Sequence, residues 1–133
     1  MLYMRKLDTK LTNFNKALQR LKEAVKEFEQ INASDVVRDG VIQRFEFTYE
    51  LAWKAAKEYL EYVGIVGKSS PREVIKEAFA QQLISDEDNW LIMLNDRNTT
   101  SHIYKEEMAK EIAQRIVNLY VKEFELLLYR LMK

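Results

Sequence analysis

The chain has 133 residues, enough for one domain with a core of its own. Lys plus Arg and Asp plus Glu balance at 21 each, so no global basic field recruits nucleic acid, and any RNA contact must come from a local patch. The absence of cysteine excludes disulfides and thiolate metal sites and fits a reducing, cytoplasmic setting.

The first helix is predicted over Asp8 to Gln30. Leu7, Leu11, Phe14, Leu18, Leu21, Val25 and Phe28 recur every three or four residues as one apolar stripe, and Asp8 is placed to cap the start. Ile31-Asn32-Ala33-Ser34 reads as a short turn. A second helix follows from Asp35 to Val63 with two apolar faces. One runs through Val37, Val41, Phe45, Thr48, Ala52, Ala55 and Tyr59, the other through Ile42, Tyr49, Trp53, Ala56, Leu60 and Val63. Two such faces describe a central helix packed on several sides, or one core face and one partner face. Gly40 costs this helix roughly 1 kcal/mol against alanine unless a close neighbour needs the space. Gly64 suits a left-handed C-terminal cap.

Ser70-Pro71-Arg72-Glu73 combines a capping serine, a proline at the first helical position and a glutamate that closes a capping box. It starts a third helix, Pro71 to Gln82. Ser85 with Asp86, Glu87 and Asp88 starts a fourth, apolar through Trp90 to Leu94 and expected to fray near Asp96 to Asn98. The last helix spans Lys105 to Leu131, with Met108, Ile112, Ile116, Leu119, Tyr120, Phe124, Leu127, Leu128 and Leu131 inward. Three glycines and one proline leave little punctuation for sheet turns. The expected fold is all-α: a single domain, residues 1–133, forming an antiparallel up-and-down bundle of about four main helices plus a short one. No apolar run reaches membrane-spanning length.

Between the last two helices lies Arg97-Asn98-Thr99-Thr100-Ser101-His102-Ile103-Tyr104, which holds the chain's only histidine. An arginine stays cationic near neutral pH, and an imidazole exchanges a proton there. On a constrained turn the two can converge on one phosphate. Metal-free RNA cleavage needs a base for the 2′-hydroxyl, an acid for the leaving oxygen and a cation for the phosphate. His102 can move the proton, Arg97 can hold the phosphate, and Asn98 can orient the imidazole or bond a phosphate oxygen. One histidine cannot readily act as acid and base at once, and a two-fold dimer removes the difficulty. The same residues also describe a helix-terminal arginine and a surface histidine, so spacing alone does not decide. Tyr104 is a helix-start aromatic, or a hydroxyl at the same cleft that is open to modification.

Other candidates carry less. Arg44, Glu46 and Glu50 lie on the second helix, but Arg44 and Glu46 are two apart and do not share a face. Arg38 and Asp39 flank a cleft or pair on the surface. Trp53 and Trp90 stack bases or fill the core. One histidine, no cysteine and no inward acidic pair at ligand spacing leave no metal site.

The segment Val41-Ile42-Gln43-Arg44-Phe45-Glu46-Phe47-Thr48-Tyr49-Glu50-Leu51-Ala52-Trp53-Lys54, followed by Arg97 to Tyr104, closely resembles the HepT-like HEPN proteins, long labelled nucleotidyltransferase substrate-binding proteins. The resemblance spans nearly the whole chain, and the motif Arg, four residues, His, one residue, Tyr is that family's signature. It implies a homodimer with its cleft across the two-fold, and a metal-independent ribonuclease toxin with Arg97 and His102 catalytic and Asn98 supporting. It implies as partner a minimal nucleotidyltransferase antitoxin that adds AMP to Tyr104. ATP and magnesium then belong to the partner, and this chain needs no cofactor. The alternatives are a non-catalytic substrate-binding subunit of a two-component nucleotidyltransferase and a purely structural bundle.

Overall fold

Apolar stripes of helical period assemble this chain into helices joined by brief turns. The computed structural model describes residues 2–30 and 33–133. Helix α1 is Leu2–Phe28, α2 Asp35–Tyr62, α3 Pro71–Ala80 and α4 Glu87–Thr100. A final rod is continuous through α5 (Glu106–Arg115), a single π turn (Ile116–Tyr120) and α6 (Val121–Leu131). The all-helical bundle of four main helices and one short helix matches the reading of the sequence. No helix among the described residues is long and apolar enough to cross a membrane. Ile31 and Asn32, assigned above to the first turn, lie outside the described residues.

Helix α2 packs against every other helix, which accounts for its two apolar faces. It runs antiparallel to α1. The Thr48 hydroxyl donates to the Ala17 carbonyl at 3.2 Å, and Arg44 Nη1 donates to the Arg20 carbonyl at 2.7 Å. Helix α4 is antiparallel to the final rod, with Asn89 bonded to Glu123 and Asp96 to Arg115. Aromatic rings fill the centre: Phe45 stacks on Tyr120 at 5.4 Å, and Phe124 meets Phe14 and Trp90 edge to face at 6.1 and 5.7 Å. Trp90 is thus core, and Trp53 is half-buried with its indole N–H donating to Glu50.

Local signals set most boundaries. Ser70 and Glu73 form the complete capping box, and the Ser70 hydroxyl with two backbone N–H groups holds the Glu73 carboxyl below its ordinary range. Gly64 takes φ +95° and closes α2 through Gly64 N–H to the Glu61 carbonyl and Ile65 N–H to the Leu60 carbonyl. Gln82, at φ 63°, repeats this geometry after α3 without glycine, so α3 stops at Ala80. A Cβ added at Gly40 would meet nothing within 4 Å, so no neighbour requires that glycine.

Four expectations are corrected. Helix α1 is already formed at Leu2, so Asp8 lies inside it and caps nothing. Asp86, not Ser85, caps α4, accepting from Asn89 N–H at 3.0 Å. Helix α4 does not fray at Asp96 to Asn98 but runs to Thr100, because a buried network pins Asp96. Met108, Leu119 and Val63 face outward. In the final rod the inward residues Ile112, Ile116, Tyr120, Phe124 and Leu128 stand four apart, a spacing that overshoots a 3.6-residue turn by about 40° per step. The π turn absorbs that drift and leaves Leu119 outside.

Burial pushes the Tyr120 phenol up, and its bond to Asp96 adds to the rise; burial also raises Tyr49. A proton held more tightly when folded gives stability that is full below the ordinary phenol value near pH 10 and lost as pH rises through the folded value. We expect the urea midpoint to fall above about pH 10, and Tyr120→Phe to flatten that fall. An unchanged slope in the variant would show that Tyr120 titrates alike in both states.

Candidate functional site

The motif occupies the C-terminal end of α4 and the loop that leads into α5. Asp96 and Arg97 are adjacent on α4 and therefore point about 100° apart. Asp96 is 2% exposed and receives Arg115 through two bonds, Nε at 2.7 Å and Nη2 at 2.9 Å, together with the Tyr120 hydroxyl. Arg97 is thereby turned towards α2. Its Nη1 donates to Glu46 Oε2 at 3.0 Å, and its Nε lies 3.8 Å from Glu50 Oε1, too far for a hydrogen bond. The Thr100 hydroxyl sits 2.9 Å from the same Glu46 oxygen and 3.0 Å from the Arg97 carbonyl. Buried Arg97 Nε has no hydrogen-bond partner, and no bond to Nη2 is formed among the described residues.

The helix then ends on its own side chains. Ser101 Oγ donates to the Asn98 carbonyl at 2.7 Å, and the His102 backbone N–H donates to the Thr99 carbonyl at 3.2 Å. The side chains of Asn98 and His102 are exposed. Within one chain no hydrogen bond or ion pair joins Arg97 to His102 among the described residues. They share a helix end, with Arg97 braced and half-buried and His102 facing outward.

Tyr104 packs half-buried against the core edge. Loss of solvent pushes its phenol up, the charges of Asp39 and Glu46 push it further, and Arg38 opposes them. It is a neutral hydroxyl near neutral pH, a nucleophile that needs a base. Arg38 is 8% exposed, with Nη1 3.3 Å from Asp35 and 3.7 Å from Glu106, two residues after Tyr104, and Nη2 3.7 Å from Asp39. Glu46, Glu50 and Arg38 ranked only as lesser candidates in the sequence, with no link drawn from them to the motif. The signal was present: Glu46 and Glu50 are four apart, hence on one face of α2. Arg44, weighed above, instead ties α2 to α1. A surface groove lined by Asn13, Lys16, Arg20, Phe47 and Leu51 also lies on that α1–α2 seam and contains no motif residue. It is open and shallow, and the chemistry sits elsewhere. Among the described residues no three carboxylate or imidazole groups gather closely enough to hold a metal ion.

A family model described as nucleotidyltransferase substrate binding protein like matches residues 9–133. A Haemophilus influenzae protein named probable ribonuclease HepT is 33% identical over 97 residues, which are 70% of this chain and 66% of that protein. A solved protein from Thermus thermophilus is similar at TM-score 0.81 and 36% identity, covering 90% of this chain and 99% of the other. A tri-AMPylated Shewanella oneidensis HEPN toxin in complex with MNT antitoxin shares the fold at TM-score 0.76 and 19% identity, over 95% and 96% of the two chains.

The Arg97–Glu46 pair is half-buried and hydrogen-bonded, so a double-mutant cycle with Arg97→Ala and Glu46→Ala in urea should give a coupling of about 1 kcal/mol. A coupling of zero would mean that Glu46 does not brace the guanidinium in solution.

Proposed function

The chain belongs to the nucleotidyltransferase substrate-binding-protein-like family, and on that premise we propose that it is a metal-independent RNA endonuclease toxin, silenced by a minimal nucleotidyltransferase antitoxin that adds AMP to Tyr104. The observation that carries this reading is a braced guanidinium and an outward imidazole at one helix end. The name of the Haemophilus relative and the toxin–antitoxin state of the Shewanella neighbour support it.

In this reading the Nη2 edge of Arg97 takes a phosphate oxygen, while Glu46 fixes the opposite edge. The RNA 2′-oxygen attacks phosphorus as its proton passes to one imidazole. The bond to the 5′-oxygen breaks as a second imidazole protonates it, leaving a 2′,3′-cyclic phosphate. Arg97 stabilises the added charge on phosphorus oxygens. Asn98, exposed beside Arg97, supports the phosphate. ATP and magnesium serve the partner's transfer reaction.

The second imidazole comes from a second copy of the chain. Ile103, between His102 and Tyr104, is fully exposed, and Val36 is 80% exposed at the start of α2. Apolar side chains around a polar motif fit an interface across the two-fold. A second reading, a non-catalytic substrate-binding subunit, is favoured by the family's description and by the partial neutralisation of Arg97 by Glu46.

We expect His102→Ala to lower RNA cleavage by about 10²–10⁴-fold. Its melting temperature should match the parent's, since the side chain is exposed. Persistent cleavage by the purified variant would end the nuclease assignment, and a parent that binds the nucleotidyltransferase yet never cuts RNA would favour the second reading. Light scattering at micromolar concentration should give a dimer; a monomer would leave the acid–base pair incomplete.

A further inference from the structure

One buried cation near the motif has no role in the cleavage chemistry. Arg38 carries a guanidinium at the core edge, and its buried Nε has no hydrogen-bond partner among the described residues. It forms only ion pairs, and even the nearest, to Asp35, lacks hydrogen-bond geometry. Its partners Asp35, Asp39 and Glu106 have side chains 74%, 63% and 58% exposed, so each can turn into water at little cost. A guanidinium has five donors, and leaving them idle in a buried position is unfavourable unless an acceptor arrives. Glu106 opens α5, two residues after Tyr104, so the Arg38–Glu106 pair seats Arg38 at the foot of the Tyr104 loop.

We propose that Arg38 is a positioning residue that grips the phosphodiester formed on Tyr104. This rests on the reading of Tyr104 as the acceptor of AMP. In that transfer the Tyr104 oxygen attacks the α-phosphorus of ATP, the α–β phosphoanhydride bond breaks, pyrophosphate leaves, and the phenolic proton passes to a base of the transferase or to water. The new diester keeps one negative charge and two non-bridging oxygens, an acceptor set that a guanidinium meets with paired N–H bonds. Asp39 and Glu46 would repel this charge, and Arg38 is the cation that offsets them. The geometry favours the tyrosyl diester over an RNA phosphate, because Arg38 pairs with Glu106, two residues after Tyr104, and shares no ion-pair partner with Arg97.

The test uses the full chain with its cognate nucleotidyltransferase, ATP and magnesium, following Tyr104 by intact mass. Arg38→Gln should slow modification roughly tenfold to a hundredfold, the worth of a charge-assisted bond. RNA cleavage by the unmodified variant should stay within about twofold of the parent. Arg38→Lys should recover part of the rate, since it restores charge without the fork. In the modified parent, the ³¹P resonance of the diester should shift relative to the unfolded chain, and Arg38→Lys should move it; this second measurement holds even if Arg38→Gln fails to fold. Modification of Arg38→Gln at the parent's rate, or loss of cleavage and modification by one common factor, overturns the role of Arg38 alone. A parent left unmodified on Tyr104 overturns the reading beneath it as well.

Discussion

A carboxylate at the centre of the bundle sets the geometry of everything at the motif. Asp96 is almost fully buried yet sits on a helix face that is otherwise core. A buried charge of this kind needs a partner and hydrogen bonds. Arg115 supplies both, through a paired contact that also raises the guanidinium's own affinity for its proton. Tyr120 supplies the third bond and enters the core through the π turn. The π turn therefore packs the final rod and delivers the hydroxyl that fixes α4. With Asp96 fixed, the rotation of α4 is fixed, and Arg97 has one direction left, towards α2.

Helix α2 answers with acids. Glu46 and Glu50 stand one turn apart on the face that meets α4, and Glu46 alone accepts from both Arg97 and Thr100. The bracing has two opposed effects. It holds a long, entropically costly side chain in one place, and it cancels part of the charge that a phosphate would seek. The balance is local, consistent with a chain whose formal net charge is zero.

The fold was legible where one physical signal acted alone. The capping box at Ser70, the left-handed Gly64 and the doubly apolar second helix each follow from short-range chemistry. The error at the end of α4 arose where distant residues decide. Fraying at Asp96 to Asn98 is a fair reading of a polar run, but Arg115 and Tyr120, far along the chain, hold it helical. An acid three residues after Met93, on the core face, was the available sign that a buried partner existed. Leu119 looked inward because an unbroken α-helix was assumed, and a π turn has no simple sequence mark. Arg97, His102 and Tyr104 stood out by residue type. Glu46 and Arg38 were candidates of lower rank, because acids and bases on a helix usually face water.

The structure also bears on how a group on Tyr104 could silence a site centred on Arg97. Glu46 links the two: it bonds Arg97 directly, and its charge is felt at the Tyr104 phenol. Both positions therefore feel the same carboxylate. A diester on Tyr104 adds negative charge to a region where Glu46 already opposes an incoming phosphate. It adds bulk beside His102 as well. On the proposed reading, inhibition needs no refolding of the bundle. Under that proposal, charge placed two residues from the imidazole, against an acid that already holds the guanidinium, is what turns RNA away.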